Sequence, residues 1–262
     1  MGEIDFPCFS SVINVFKYEM STERIGKMKT EPMKLQKTHQ EPVMSSIPLD
    51  VGKQDFGNNG YKTVEDKDSD VTFVAQADLP TRYGNFVIAG FRSARDNKEH
   101  TALIKGDVAG KSDVPVRVHS ECHTGDIFGS LKCDCREQLE ASMRYIASKP
   151  YGVVIYLRQE GRGIGLLNKI KAYHLQDQGL DTIEANECLG FPSDLREYSD
   201  AAKIITILKI KSVALLTNNP EKIEGLEKEG IEVTRRIPLH ATPNDHNRRY
   251  LSTKMKKMGH LI

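Results

Sequence analysis

Short apolar runs that alternate with helix-spaced segments extend from Val71 to the end of the chain. Residues 71–75 and 85–90 alternate apolar and polar side chains, whereas residues 153–157 form a continuous apolar run. Alternation is typical of an antiparallel strand with one wet face, and a continuous run is typical of a strand buried on both faces. The sequence therefore predicts an α/β fold whose mixed β-sheet is antiparallel early, partly parallel later and flanked by helices.

Helical spacing and glycine or proline punctuation place the helices between these strands. Leu139, Met143 and Ile146 carry one helix, which residues 149–152 end. Further helices are predicted at residues 166–178, 199–208 and 220–229, and further strands at residues 101–106, 114–119, 213–217 and 231–233. These elements are consistent with a single α/β domain.

The first seventy residues differ in composition from the rest. From Ser21 to Asp70 the segment is dense in Lys, Glu, Gln, Ser and Asn, with few large apolar residues and no sustained period. Such a composition cannot bury enough surface to offset the loss of chain entropy on folding. We therefore predict a disordered polar N-terminal extension over residues 1–70 and a folded domain over residues 71–262.

Charge, hydropathy and cysteine usage narrow the class of protein. Lys and Arg number 37 against 36 Asp and Glu, which argues against a dedicated nucleic-acid binder. No run approaches the ~18–20 apolar residues of a membrane span, and the N-terminus does not have the pattern of a secretory signal. The five cysteines form an odd, clustered set, unlike a disulfide framework. The sequence therefore predicts a cytoplasmic protein with neither nucleic acid nor membrane as partner.

Three of the cysteines lie within fourteen residues of one another. Cys122 follows a predicted strand, and Cys133 and Cys135 lie in a loop before a predicted helix. Thiolates bind zinc tightly, with four protein ligands in structural sites and with one position left for water in catalytic sites. Spacing alone does not decide between a structural and a catalytic site, because His119 or His123 could supply a fourth ligand. Free cysteines that are simply buried are also common.

Two loops between a strand and a helix have features of phosphate-binding loops. In residues 160–165, three glycines let backbone amides approach a ligand, and Arg158 and Arg162 add positive charge. Residues 217–222 likewise join the end of a strand through a turn to the start of a helix, and they carry Lys222. Taken alone, the first loop is equally consistent with a tight turn and the second with an ordinary helix cap.

Five ordered segments together closely resemble the GTP cyclohydrolase II family. They are residues 117–122, 130–135, 158–169, 181–186 and 216–220. The resemblance extends from Val71 to the end of the chain, and implies that residues 71–262 form a single catalytic domain. It also implies the activity: GTP and water give formate, pyrophosphate and 2,5-diamino-6-(5-phospho-ribosylamino)pyrimidin-4(3H)-one, the first committed step of riboflavin biosynthesis.

The resemblance further implies a set of site residues. The zinc ligands match Cys122, Cys133 and Cys135. Asp194 matches a base, Arg196 an arginine proposed as nucleophile, and Tyr173 a catalytic tyrosine. The nucleotide contacts match Arg117, Val118, His119, Ser120, Glu121, Gln138, Glu160, Gly161, Arg162, Thr182, Thr217 and Lys222. Mg²⁺ is expected with the GTP triphosphate, and the family usually forms homodimers.

These residue types suit the implied chemistry. Zinc lowers the pKa of bound water from ~16 towards ~7, which supplies a nucleophile for C8 of the purine, and a second hydration releases formate. Tyr173 could donate a proton or a hydrogen bond, although Leu166 and Ile170 on the same helical face also fit a packing role. The guanidinium of Arg196 has a pKa above ~12 and no free lone pair. A clamp on the α-phosphate is therefore the alternative to a covalent role for Arg196.

Several expectations distinguish this interpretation from its alternatives. About seventy polar residues precede Val71, too few for the second enzyme domain of many family members, so we expect one activity. Arg136 and Glu137 depart from the small or aromatic residues that the family resemblance leads us to expect after the last cysteine.

A zinc nucleoside deaminase would share the pattern of His119 and Glu121 but needs a Pro-Cys-x-x-Cys segment, which the cysteine loop lacks. A regulatory GTP-binding protein with a structural zinc would be expected to lack the three catalytic residues. We therefore expect an open zinc site without a histidine ligand.

Overall fold

A computed structural model describes residues 70–192, 194–240 and 242–261 of the chain. The predicted disordered extension lies outside the described residues apart from Asp70, and so does Cys8. The strands are β1 (Val71–Thr81), β2 (Gly84–Ser93), β3 (Glu99–Lys105), β4 (Val114–Ser120), β5 (Gly152–Leu157), β6 (Val213–Leu216) and β7 (Val233–Ile237). The helices are α1 (Cys135–Ala147), α2 (Leu166–Asp177), α3 (Thr182–Cys188), α4 (Ser199–Ile207), α5 (Pro220–Lys228) and α6 (Arg248–Met258).

In the described part of the chain, seven strands form one sheet in the order β1-β2-β3-β5-β4-β6-β7. The pairs β1–β2, β2–β3 and β3–β5 are antiparallel. The pairs β4–β5, β4–β6 and β6–β7 are parallel. The prediction of a mixed sheet, antiparallel early and partly parallel later, is confirmed.

The middle strands carry the core because their apolar side chains project from both faces of the sheet. On one face, Val118 and Ile155 pack with Ile204 of α4. On the other face, Val154 packs with Ile146 of α1. Full burial of such a side chain contributes about 1.5–3 kcal/mol. Helices on both faces explain why β5 is a continuous apolar run rather than an alternating one.

The parallel strands β4, β5 and β6 end at the same edge of the sheet. The loops that follow them are residues 121–134, 158–165 and 217–219. Ligands of α/β sheets usually bind at the carboxyl ends of the strands. The cysteine loop and both candidate phosphate loops therefore converge on one edge.

The sequence did not predict two of the helices, α3 and α6, and it placed the start of one strand differently. The helix α3 begins with a capping box in which the Asp181 side chain accepts hydrogen bonds from the next turn and Glu184 returns one to the Asp181 backbone. The helix α6 is rich in Lys and Arg and buries Leu251 and Lys254. The strand β7 begins at Val233 rather than at residue 231.

None of the helices in the described residues combines the length and the apolar character that crossing a membrane requires.

Candidate active site

One cleft at the carboxyl ends of the parallel strands is lined by all predicted site residues except Val118 and Asp194. The Val118 side chain packs in the core, and its carbonyl accepts a hydrogen bond from Lys222 Nζ at 2.7 Å. Asp194 does not line the cleft itself but is paired with Arg196, which does. The fold thus brings together residues that are up to 105 positions apart, from Arg117 to Lys222.

The cysteine cluster consists of Cys122, Cys133 and Cys135. Their sulfur atoms lie within 4.8 Å of one another, and those of Cys122 and Cys133 are 3.7 Å apart. Zinc–thiolate bonds of about 2.3 Å in tetrahedral geometry separate two sulfur atoms by about 3.8 Å. Cys135 is the first residue of α1, and hydrogen bonds with the other two cysteines, followed by burial, raise the pKa of its thiol well above the ordinary value. The donor set therefore fits a zinc ion, with three protein ligands rather than four.

The backbone at Gly125 packs directly against the cysteine cluster. A Cβ atom at this position would lie 2.9 Å from Cys133 Sγ and 3.0 Å from Cys122 Sγ, which is closer than real Cβ atoms approach. The Gly125 amide also donates a hydrogen bond to Cys122 Sγ at 3.4 Å. Glycine is therefore required here by the close approach of the sulfur atoms.

Neither His119 nor His123 belongs to the metal-ligating group that the described residues form. His119 Nε2 lies 3.0 Å from a carboxylate oxygen of Asp126, and its ring stacks on that of Tyr156. The His123 ring packs edge-on against Phe128 with 5.0 Å between centroids. Both rings are directed at other partners, as expected for a ligand set of cysteines alone.

Lys169 links the cysteine cluster to the first phosphate loop. Its Nζ donates to Cys122 Sγ at 3.0 Å and to Glu160 Oε1 at 2.7 Å. The other oxygen of Glu160 accepts a hydrogen bond from the His123 amide. Hydrogen bonds with Cys133 and the third cysteine lower the pKa of the Cys122 thiol far below its ordinary value, and Lys169 acts in the same direction. The protein's own groups thus favour a thiolate at Cys122.

The loop after β5 is held in an uncommon backbone conformation. Gly161 and Arg162 both have left-handed φ values, of 63° and 59°. Such a φ is uncommon for an arginine, and residues of this kind concentrate at functional sites. The Arg162 carbonyl accepts a hydrogen bond from the Leu195 amide at 3.0 Å. A Cβ atom at Gly163 would lie 2.9 Å from Leu195 Cβ, so this loop is seated closely on the segment that carries Arg196.

Positive side chains outnumber carboxylates along the cleft. The lysines and arginines are Arg117, Lys132, Arg162, Lys169, Arg196, Lys222 and Lys254, and the carboxylates are Glu121 and Glu160. We call Arg117, Lys222 and Lys254, which are buried, together with the half-buried Arg196, the cationic cluster. Burial, followed by the charges of the other three members, lowers the pKa of Lys222 well below its ordinary value. An anion in the cleft would relieve this mutual repulsion.

A chain of hydrogen bonds ties the cationic cluster to the cysteine loop. Arg117 donates to Gln138 at 2.7 Å, and Gln138 donates to Asp134 at 2.5 Å. Asp134 lies between two of the cysteines in sequence and also accepts from Lys254 of α6 at 2.7 Å. Burial lowers the pKa of Arg117 to about 10, so its guanidinium stays charged at neutral pH. The helix α6 is therefore fixed to the cysteine loop through a buried ion pair.

Asp194 and Arg196 form a forked ion pair. Arg196 Nε lies 2.9 and 3.0 Å from the two carboxylate oxygens, and Nη2 donates to one of them. Burial alone would raise the pKa of Asp194, but its hydrogen bonds and charge pairing with Arg196 lower it. Burial would likewise lower the pKa of Arg196, but Tyr198 and Asp194 raise it above its ordinary value. Each partner holds the other in its charged form.

The Tyr173 hydroxyl points towards the cysteine loop. It lies 3.2 Å from the Thr124 hydroxyl, and the ammonium groups of Lys132 and Lys169 lie 5.0 and 5.7 Å from the ring centroid. Burial raises the pKa of Tyr173 to about 12. The phenol therefore stays protonated at neutral pH and can act as a donor.

The remaining predicted residues that line the cleft come from several elements. Glu121 pairs with Arg158 at 3.0 Å. Thr182 is the first residue of α3, and the Thr217 hydroxyl accepts a hydrogen bond from the Asn219 amide at 3.0 Å. Ser120, the last residue of β4, also lines the cleft.

Several cleft residues were not predicted from the sequence as individual site residues. They include Lys132, Lys169, Tyr250, Lys254 and His260. Lys169 lies within a segment that carries the family resemblance, and His260 lies near the end of the chain. Lys254 gives no local signal, because it looks like any other lysine of a strongly basic helix.

The sequence of this chain is similar to those of a known enzyme family and of several of its members. The model of the GTP cyclohydrolase II family matches residues 72–238. A GTP cyclohydrolase-2 from Picrophilus torridus is 56% identical over 192 residues, covering 73% of this chain and 100% of the relative. A GTP cyclohydrolase-2 from Tolumonas auensis is 53% identical over 194 residues, covering 74% and 98%. The riboflavin biosynthesis protein RibBA from Bacillus subtilis is 52% identical over 201 residues, covering 76% of this chain but 49% of the relative.

The match over residues 72–238 includes the three cysteines and both phosphate loops. The two GTP cyclohydrolase-2 relatives are covered along almost their full length at more than half identity. On these grounds, together with the geometry of the cleft, the chain belongs to the GTP cyclohydrolase II family.

Proposed function

We propose that this chain opens the imidazole ring of GTP with the help of zinc and releases formate and pyrophosphate. The remaining product is 2,5-diamino-6-(5-phospho-ribosylamino)pyrimidin-4(3H)-one, which commits the nucleotide to riboflavin biosynthesis. The observation that carries the proposal is that the cysteine cluster and the cationic cluster line the same cleft. One suits a metal ion, and the other suits a polyphosphate.

Cys122, Cys133 and Cys135 would hold the zinc ion, because their sulfur spacing and their number match an open tetrahedral site. When bound there, zinc supplies an acidified water for attack on the purine. Lys169 and Gly125 hold the first of these thiolates in place through hydrogen bonds to its sulfur. Such outer contacts orient metal ligands and tune their basicity.

Tyr173 would donate a hydrogen bond or a proton at the reacting end of the purine. Its hydroxyl stays protonated at neutral pH, and it faces the cysteine loop through Thr124. A positioned general acid contributes about 10²–10⁴-fold to a rate. The family resemblance implies a catalytic tyrosine at this position, so we expect this chain to carry the reaction past the ring-opened formamide to the release of formate.

The cationic cluster would bind the GTP triphosphate together with Mg²⁺. Lysine and arginine side chains are the usual partners of phosphate oxygens, and arginine can bind two of them at once. For Arg196 we favour a clamp on the α-phosphate over a covalent role. Asp194 keeps the guanidinium protonated, and a protonated guanidinium has no lone pair to attack phosphorus.

The products of a single incubation test this function. Purified protein with GTP and Mg²⁺ should release formate and pyrophosphate, and a zinc chelator should abolish the release of formate. Ammonia in place of formate would indicate the deaminase alternative. Binding of GTP without turnover would indicate a regulatory binding protein.

The finer features of the assembly belong to the same proposal. We propose a cytoplasmic homodimer whose catalytic domain covers residues 71–262. Sedimentation of the purified chain tests the dimer, and a variant that begins at Val71 tests the domain boundary through its activity and melting temperature.

A further inference from the structure

His260 presents an unpaired imidazole ring to the cleft. The residue follows α6 and lines the cleft, and both of its ring nitrogens are buried. Within the described residues, neither nitrogen has a hydrogen-bond partner. A buried polar atom without a partner is destabilising, and such atoms are rare in native proteins. Their position in a binding cleft indicates a contact with ligand.

The backbone on both sides of His260 is held in place. The helix α6 ends at Gly259, whose left-handed φ of 62° redirects the chain towards the cleft. The His260 amide donates to the Lys254 carbonyl at 3.1 Å, and the Leu261 amide donates to the Asn218 carbonyl at 2.9 Å. The second hydrogen bond joins the chain end to the loop after β6. The backbone that carries the ring is therefore held by hydrogen bonds to α6 and to the loop after β6.

The charged groups around the ring identify the kind of ligand. Burial, followed by the positive charges of Lys254 and Arg196, lowers the pKa of His260 to about 3, and Arg162 acts in the same direction. The ring is therefore neutral, with one N–H donor and one acceptor nitrogen. Three cations around a neutral donor form a setting for an anion with several oxygen atoms.

We propose that His260 donates a hydrogen bond to a phosphate oxygen of the bound nucleotide, so that the C-terminal segment after α6 is part of the substrate site. This inference rests on the proposed function, since it takes GTP as the ligand of the cleft. His260 is not a member of the cysteine group, so its role is to bind phosphate and not metal. The buried pair of Lys254 with Asp134 sets the position of the helix that delivers the ring.

Two probes isolate the phosphate contact. Inorganic pyrophosphate with Mg²⁺ carries only the phosphate part of the substrate, and guanosine carries only the nucleoside part. In His260→Ala we expect the Kd for pyrophosphate to rise about 10–100-fold, as for a lost hydrogen bond to a charged group. The Kd for guanosine and the zinc content should stay within about twofold of the parent, because neither depends on this contact.

A matched control and a conservative variant separate binding from folding. His240 is exposed and does not line the cleft, so His240→Ala should bind both probes like the parent. His260→Gln keeps a donor at nearly the same reach and should recover part of the pyrophosphate affinity. Melting temperatures of all three variants should match that of the parent.

Two outcomes would overturn the inference while leaving the proposed function intact. One is an unchanged Kd for pyrophosphate in His260→Ala. The other is an equal loss of affinity for guanosine and pyrophosphate, which would indicate a general disturbance of the cleft. Failure of the parent itself to bind or convert GTP would instead contradict the proposed function.

Discussion

The cysteine cluster and the cationic cluster share a cleft but are stabilised in opposite ways. Around the cysteines, opposite charges are already matched, since Lys169 contacts both the Cys122 sulfur and Glu160. In the cationic cluster, Arg196 and Lys254 have carboxylate partners, whereas Arg117 and Lys222 form no ion pair within the described residues, and the Nε atom of Arg117 has no hydrogen-bond partner there. The charges of the first cluster are therefore matched within the protein, whereas those of the second are only partly neutralised and are complementary to a bound anion.

Asp134 joins the cationic cluster to the cysteine loop, but none of the hydrogen bonds that make this connection involves a sulfur atom. We therefore predict that the two clusters can be disabled separately. Changes at the cysteines should remove the metal and the ring-opening chemistry but leave phosphate binding. Changes in the cationic cluster should weaken phosphate binding but leave the metal. The four variants below are ordered by the size of the expected effect.

Replacement of a metal ligand should have the largest effect. In Cys135→Ser we expect zinc affinity to fall by more than about a hundredfold, because loss of even an outer partner of a ligand costs about 10–100-fold. Formate release should fall to the level of the chelator-treated parent. Metal analysis and a formate assay measure both. Loss of pyrophosphate affinity in the same variant would break the proposed separation of the two clusters.

Removal of the Tyr173 hydroxyl should slow the chemistry without removing the metal. In Tyr173→Phe we expect kcat for formate release to fall by about a hundredfold, the lower range for a lost general acid. Zinc content should not change, and formamide intermediate should accumulate. Product analysis by mass spectrometry checks the result. A normal rate would assign Tyr173 to packing.

The cationic cluster is tested by Lys222→Met. Loss of the ammonium should raise the Kd for pyrophosphate about 10–100-fold. The melting temperature should stay the same or rise, since replacing a buried charge by an apolar side chain is often neutral or stabilising. Zinc content should not change, and a reduced zinc content would contradict the separation of the clusters.

The same lysine predicts a proton uptake on binding. Burial and the neighbouring cations depress the pKa of Lys222 in the free protein. A bound anion favours the charged form and raises this pKa, so binding takes up a proton at any pH between the two values. Calorimetry in buffers of different ionisation enthalpy measures the uptake. In Lys222→Met it should decrease, and an undiminished uptake would locate the proton elsewhere.

The smallest effect is expected at the glycine of the cysteine loop. In Gly125→Ala the added methyl group must displace two sulfur atoms that would lie 2.9 and 3.0 Å away. Overpacking of this kind costs about 1–3 kcal/mol, so we expect about a tenfold loss of zinc affinity. Gly110 has no atom within 4 Å of its Cβ position but a left-handed φ, and Gly110→Ala is therefore a control for backbone strain alone.

Local sequence patterns predicted the sheet and the cysteine cluster. Cys133 and Cys135 are two residues apart, and Cys122 lies eleven residues before Cys133 in the loop after a predicted strand, so the three thiols are close in sequence. The alternating and continuous apolar runs likewise distinguish antiparallel from parallel strands. Such features depend only on residues that are close together in the sequence, so a single sequence is enough to predict them.

Long-range pairs could not be predicted in the same way. The partner of Lys254 is Asp134, 120 residues earlier, and nothing near either residue marks the pairing. Val118 contacts Lys222 through its carbonyl, an interaction that does not depend on side-chain type. The short helix α3 did carry a signal, because Asp181 and Glu184 have capping-box spacing.

Removal of the metal tests the separation of the two clusters most directly. The parent protein can be treated with a chelator, and its Kd for inorganic pyrophosphate with Mg²⁺ and its rate of formate release from GTP can then be measured. We predict that formate release is lost and returns with added zinc, while the Kd for pyrophosphate stays within about threefold of the untreated value. Undiminished formate release, or loss of pyrophosphate binding together with the metal, would contradict the account.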